Sequence, residues 1–320
     1  MKRREFLRKS CLVSGVSLAA GIRSPAGSIH PRPVSVFIEL AGGCDGLNMV
    51  VPHGLEDYYR QRPNLAIPPA DVLKLDDTVG FHPSLDGFKR LFDAGKVALV
   101  QGVGYPDPNR SHFRSRKVWH TARVGTAAGE DSPDRRCLPE LGMRVTDGAL
   151  GANLAVIARC IAAGTGVRLF YTSMGGFDTH AFQVVPGNTI RGIHARLLSM
   201  LSAAVTGFLD DLTRRGRDEH VVVVIFSEFG RRLAENETFG TDHGTANPVF
   251  IVGKRVFAGL HGRHPGLSPH ELTPSGDLVH TVDFRSVFAG VLPGWVGIRA
   301  GCAAAPRLSL LRSDSVAFSA

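Results

Sequence analysis

Residues 221–253 read VVVVIFSEFGRRLAENETFGTDHGTANPVFIVG, and this stretch decides the fold. Six apolar residues, 221–226, run into Ser227, Glu228 and Gly230. Asp242-His243-Gly244 then precedes a second apolar run, 248–253. Neither run alternates polar with apolar. A strand covered on one face alternates, whereas one covered on both faces is apolar throughout. The stretch therefore predicts two buried strands joined by a segment rich in carboxylates, with one histidine.

Three more runs share this character: 34–40 (VSVFIEL), 97–103 (VALVQGV) and 167–173 (VRLFYTS). Helical periodicity lies between them, over 85–94, 150–163 and most strongly 193–215. In the last, Leu197, Leu198, Leu201, Val205, Phe208, Leu209 and Leu212 line one face. Strands alternating with helices predict an α/β fold: an open, mostly parallel central sheet with helices on both faces. The run at 248–253 is expected to be antiparallel or at an edge, because its polar residues precede it. Residues 123–148 are polar and Gly/Pro-punctuated, and read as a loop or small insertion.

The +8 net charge of the 320 residues is unevenly placed. Lys2, Arg3, Arg4, Arg8, Lys9 and Arg23 stand against Glu5 alone within residues 1–27, leaving +3 for the rest of the chain. With no basic stripe interleaved with aromatics, no nucleic-acid partner is expected. No apolar run reaches the ~18 residues of a membrane span. The N-terminus MKRREFLRKSCLVSGVSLAAG has a basic start, a modest apolar stretch and small residues after it. Arg3-Arg4 followed by Glu5, Phe6 and Leu7 resembles the twin-arginine export signal. The expected organisation is a signal peptide over 1–27 and one domain over 28–320. The partner during export is the twin-arginine translocase, and the destination is the periplasm or the exterior. Cys44, Cys137, Cys160 and Cys302 have neither CxxC nor zinc-ribbon spacing, so disulfides and free thiols both remain open.

Chemistry-bearing residues follow four of the apolar runs: Asp45 in AGGCDGLN, Ser111 and His112 in NRSHF, Asp178 and His180 in GGFDTH, and Glu228 in SEFG. Asp242 and His243 precede the last run. In open α/β sheets, sites form beyond the carboxyl ends of the strands. Each residue also has a bland reading. Asp45 and Asp178 beside glycines suit tight turns, Ser111 suits a helix N-cap, and Glu228 suits an ion pair with Arg231 or Arg232. Their joint occurrence is what argues for one polar site. Asp, Glu and His together suit a divalent metal, with imidazole favouring zinc, manganese or iron over calcium. A serine at a helix start has its hydroxyl near the positive dipole end, where phosphate is also stabilised.

AGGCDGLNMVVP, NRSHF, GGFDTH, SEFGRR, GTDHGTANPVFIVG and TVDFRSVF together resemble an exported bacterial family, domain of unknown function 1501. That family is placed in the alkaline phosphatase clan with sulfatases and phosphoglycerate mutases. The resemblance implies an alkaline phosphatase-like fold and a metal-dependent hydrolase of phosphate or sulfate esters, with a small-molecule or polysaccharide substrate. It implies Ser111 as nucleophile, with Arg110 or His112 stabilising the transferred group. It implies Asp45, Asp178, His180, Glu228 and His243 as ligands of one or two ions, zinc or manganese. Phe229 stands where the clan has a second metal histidine, and Asp242 is the candidate substitute. Relatives are longer over 123–150, so any cap here is reduced. The alternative is a non-catalytic exported protein with a degenerate metal site, acting in binding or surface assembly.

Overall fold

The structure, a computed structural model, describes residues 32–124, 142–292 and 306–312. The signal-peptide expectation, Cys137, Cys302 and most of the 123–148 segment lie outside the described residues. Of the remaining cysteines, Cys44 and Cys160 are free thiols.

The strands are β1 (Val34–Leu40), β2 (Val50–Val51), β3 (Leu73–Lys74), β4 (Gly80–Phe81), β5 (Val97–Gly104), β6 (Met143–Arg144) and β7 (Leu169–Met174), followed by β8 (Val221–Phe226), β9 (Asn247–Val252), β10 (Gly259–His261) and β11 (Val282–Asp283). Eight of them form one sheet in the order β10-β5-β9-β8-β1-β7-β6, with β11 also on β5. The short β2-β4-β3 sheet stands apart. β1 pairs in parallel with both β7 and β8, whereas β9 runs antiparallel to β8 and β5. The expected antiparallel direction of the 248–253 run holds. Its position is interior, because β5 covers its second side.

The five apolar runs are the five central strands. Helix α1 (Gly46–Met49) follows β1, α2 is Glu56–Gln61, α3 is Asp86–Asp93 and α4 is His112–Thr121. α5 (Leu150–Ala162), α6 (Ile193–Arg214) and α7 (Phe284–Val291) complete the set. Alternate residues of β1 feed two cores. Val36 and Ile38 pack with Phe88 of α3, Leu154 of α5 and Leu198 of α6. Phe37 packs on the opposite face with Trp119 of α4 and Phe284 and Phe288 of α7. Helices therefore cover both faces, as the unbroken apolar runs require. Among the described residues, no helix is long and apolar enough to cross a membrane.

This topology places the site. β1, β7 and β8 end on one side of the sheet, and antiparallel β9 begins there. The segments after β1, β5, β7 and β8 and the one before β9 therefore meet.

Candidate metal centre

Three imidazoles converge on Asp178. Its Oδ1 lies 3.0 Å from Nε2 of His180 and 3.0 Å from Nε2 of His243, and its Oδ2 lies 3.4 Å from Nε2 of His112. The His180 and His243 Nε2 atoms are 2.9 Å apart. His112, Asp178 and His243 each offer a ligand atom within 4.8 Å of the others.

Each imidazole's far nitrogen meets an acceptor. Nδ1 of His112 donates to Glu228 Oε1 at 2.9 Å, Nδ1 of His180 to Asp242 Oδ1 at 3.1 Å, and Nδ1 of His243 to the Arg110 carbonyl at 2.9 Å. A carboxylate or carbonyl oxygen only accepts, so the proton of each neutral ring is assigned to Nδ1. All three Nε2 lone pairs then face a carboxylate. Acceptors this close repel one another unless positive charge lies among them. Arg231 supplies one such charge, donating from Nη2 to Asp178 Oδ1 at 2.6 Å. Burial pushes the Asp178 carboxyl up, but the Arg231 guanidinium against its Oδ1 outweighs this and holds the group at about 2. His112, Asp178 and His243, each imidazole tied at its other nitrogen, form a three-residue donor set that fits a divalent ion such as zinc, with His180 against Asp178 and His243 at its side.

The local sequence explains the aim of these side chains. Phe229 packs its ring 4.9 Å from His112 and 4.7 Å from His243, as an apolar wall behind both. Gly43, at φ +69°, has no room for a side chain: a Cβ there would fall 2.2 Å from the Phe229 ring. Gly240 passes close beside the His180 carbonyl, with a Cβ position 2.2 Å from that oxygen. Arg231 is fully buried and also donates to the carbonyls of Gly42, Gly43 and Thr241, locking the turn after β1 to the turn before β9.

The expected site residues fall into three groups. Asp178, His180 and His243 meet as ligand candidates. His112 joins them as a donor, although its sequence position suggested a role on the transferred group. Its place at the start of the helix that follows β5 was the available signal. Glu228 and Asp242 sit one layer out: each orients an imidazole. Glu228 also accepts from the Gly42 amide and the Ser227 hydroxyl, with no bond to Arg231 or Arg232.

Asp45 is placed elsewhere. Its carboxylate is fully buried and accepts from Arg62 at 2.7 Å and from Gln183 at 2.6 Å. Burial raises its carboxyl, and the Arg62 guanidinium more than reverses this, leaving it below the usual range. Ser111 is the N-cap of α4, exposed, and its hydroxyl makes no capping bond. The Arg110 side chain turns to Asp277 at 3.1 Å, while its carbonyl serves His243. Sequence reasoning missed Arg62, Gln183 and a sealed knot beneath α4. There Glu39 of β1 meets His120 at 2.6 Å, Arg116 at 2.5 Å and the Tyr171 hydroxyl. That knot ties the helix carrying His112 to the sheet.

Residues 152–301 match the family model described as a protein of unknown function, DUF1501. The match takes in Asp178, His180, Glu228, Asp242 and His243, and stops short of His112. No curated protein matches the chain. Among solved structures, one from a glycosaminoglycan-metabolism locus of Bacteroides thetaiotaomicron is similar at 9% identity and TM-score 0.46, over 72% of this chain and 69% of that one. The lipoteichoic acid synthase LtaP of Listeria monocytogenes is similar at 10% identity and TM-score 0.42, over 85% and 74%. An alkaline phosphatase superfamily protein of Vibrio parahaemolyticus is similar at 9% identity and TM-score 0.40, over 74% and 64%.

Proposed function

We propose that this chain is a metal-dependent hydrolase of phosphate or sulfate esters. One observation carries the reading: three imidazole Nε2 atoms and the Asp178 carboxylate converge, each imidazole oriented from behind by its own acceptor. Nε2 of His112 and His243 and the Asp178 carboxylate would hold the ion, zinc or manganese by donor type, with His180 at their side. A divalent ion bound there supplies positive charge for a developing oxyanion.

The chain's own residues supply the rest. Ser111 stands between Arg110, whose carbonyl holds His243, and His112, so the backbone on both sides of it is fixed by the cluster. Its free hydroxyl at the start of a ten-residue helix is the nucleophile of this reading. Glu228 and Asp242 keep Nε2 of His112 and His180 unprotonated and aimed. Phe229 keeps water from the back of two rings.

The test is turnover of an aryl phosphate and an aryl sulfate by the zinc- or manganese-loaded protein. Ser111→Ala should abolish turnover and retain metal binding. A folded, metal-loaded wild type that turns over neither ester sinks the hydrolase reading. It would favour the second reading, a non-catalytic exported metal-binding protein. One observation speaks for that reading: Arg62 neutralises Asp45 and Phe229 cannot ligate, so neither offers a place for a second ion. Export is supported by Arg3-Arg4 in the sequence, and replacing both with Lys should retain the protein in the cytoplasm.

A further inference from the structure

Near the cluster along the chain, there is an open apolar groove of about 470 Å³ lined by Phe182, Val184, Val185, Pro186, Ile193 and Leu197, with Arg196 among its walls. Phe182 is 63% exposed, Ile193 48% and Val185 46%. Apolar side chains this open forgo the ~25 cal/mol per Å² that burial would return. A loose loop would fold them inward, but this one is pinned. The Val185 amide donates to the Arg191 carbonyl at 2.8 Å, the Asn188 amide to Val185 at 2.8 Å and the His194 amide to Gln183 at 3.1 Å. Gly192, at φ +132°, lets the loop close on itself: a Cβ there would lie 2.6 Å from the Gln183 carbonyl oxygen. Phe182 itself is held at φ +49°, a left-handed conformation uncommon for an aromatic residue.

The groove and the cluster are joined at both walls. Phe182 follows His180 by two residues. Leu197 comes within 3.3 Å of the Cβ position of Gly176, two residues before Asp178. Arg191 and Arg196 are exposed at this end, and among the described residues neither has an ionic partner. A ligand lying along the groove therefore meets apolar walls and the positive charge of Arg196, at a wall that leads within two residues of chain to His180.

We infer that this groove binds the non-reacting part of the substrate, and that the substrate is an amphiphilic ester with an anionic head and an alkyl or aryl tail. The head lies at the cluster with Arg196 nearby, and the tail lies on Phe182 and Ile193. The head's placement rests on the hydrolase reading, whereas the tail's rests on the groove.

Calorimetric titration of the zinc-loaded protein with methyl phosphate and with hexyl phosphate separates the two. Each methylene buried should tighten binding about fourfold (~0.8 kcal/mol), so hexyl phosphate should bind at least tenfold tighter than methyl phosphate. Phe182→Asn, which suits the left-handed backbone, and Ile193→Ser at an exposed helix start should each shrink that ratio toward one. Circular dichroism confirms that each variant is folded. Equal affinities of the two phosphates for the wild type overturn the groove assignment and leave the cluster reading standing. Failure of both phosphates to bind overturns both readings. Binding to anionic lipid vesicles without binding of monomeric hexyl phosphate also overturns the proposal, in favour of a membrane surface as the occupant.

Discussion

Asp45 and Asp178 begin almost alike. Each follows a glycine pair, GGCD at 42–45 and GGFD at 175–178, after neighbouring parallel strands. The two turns touch: the Phe177 amide donates to the Ala41 carbonyl, and a Cβ on Gly42 would fall 2.4 Å from the Asp178 nitrogen. Yet Asp45 is sealed and its side chain wholly buried, whereas the Asp178 side chain is 47% exposed. Asp45 meets a guanidinium tethered on α2's far end, which neutralises it permanently. Asp178 meets three imidazole lone pairs, which leave a demand for more positive charge. The same residue in the same local setting is structural in one case and a ligand candidate in the other, and its partners alone decide which.

Breaking the sealed side should have the largest effect. Arg62→Ala leaves Asp45 charged and buried, and should cost about 3–5 kcal/mol of stability in urea denaturation. Asp178→Asn should cost less, about 1–2 kcal/mol in the same experiment, because the buried Arg231 keeps its carbonyl acceptors. Equal losses would erase the distinction. On the open side, His243→Ala should weaken zinc binding at least ten- to a hundredfold in a folded protein. Equal affinity would make His243 a turn residue only.

The third effect is a pH slope. His194 lies buried near Asp45 with neither ring nitrogen hydrogen-bonded, and burial lowers it to about 4; burial also lowers His82 to about 3. Both folded values lie below the unfolded 6.5, so the unfolded chain binds more protons. Stability is full above pH 6.5 and falls as pH drops toward 4, by about 1.4 kcal/mol per pH unit for each histidine. His194→Leu should remove half of that slope, read as the difference from wild type between pH 6.5 and 4. An unchanged slope would mean that His194 is protonated in the fold. The smallest effect is expected from Asp242→Asn. This residue orients His180 from an exposed position, with its side chain 54% accessible. Zinc affinity should fall only about threefold to tenfold, at the low end of such losses. A loss as large as that of His243→Ala would make Asp242 a ligand itself.

The sequence by itself determined the sheet. Unbroken apolar runs can be satisfied only by cover on both faces, and all five became central strands. It also determined which end of the sheet carries the chemistry, because polar residues followed four runs and preceded the fifth. His180 and His243 were legible for that reason. Tertiary structure alone decided what each acid faces. Arg62, seventeen residues from Asp45, and Arg231, more than fifty from Asp178, reach their carboxylates through folds of the chain that no local pattern encodes. His112 and Glu228 lie 116 residues apart, and their hydrogen bond exists because β5 and β8 end on the same side of the sheet. A side chain's type is written locally, but whether its charge is cancelled or left open depends on distant groups brought within about 3 Å.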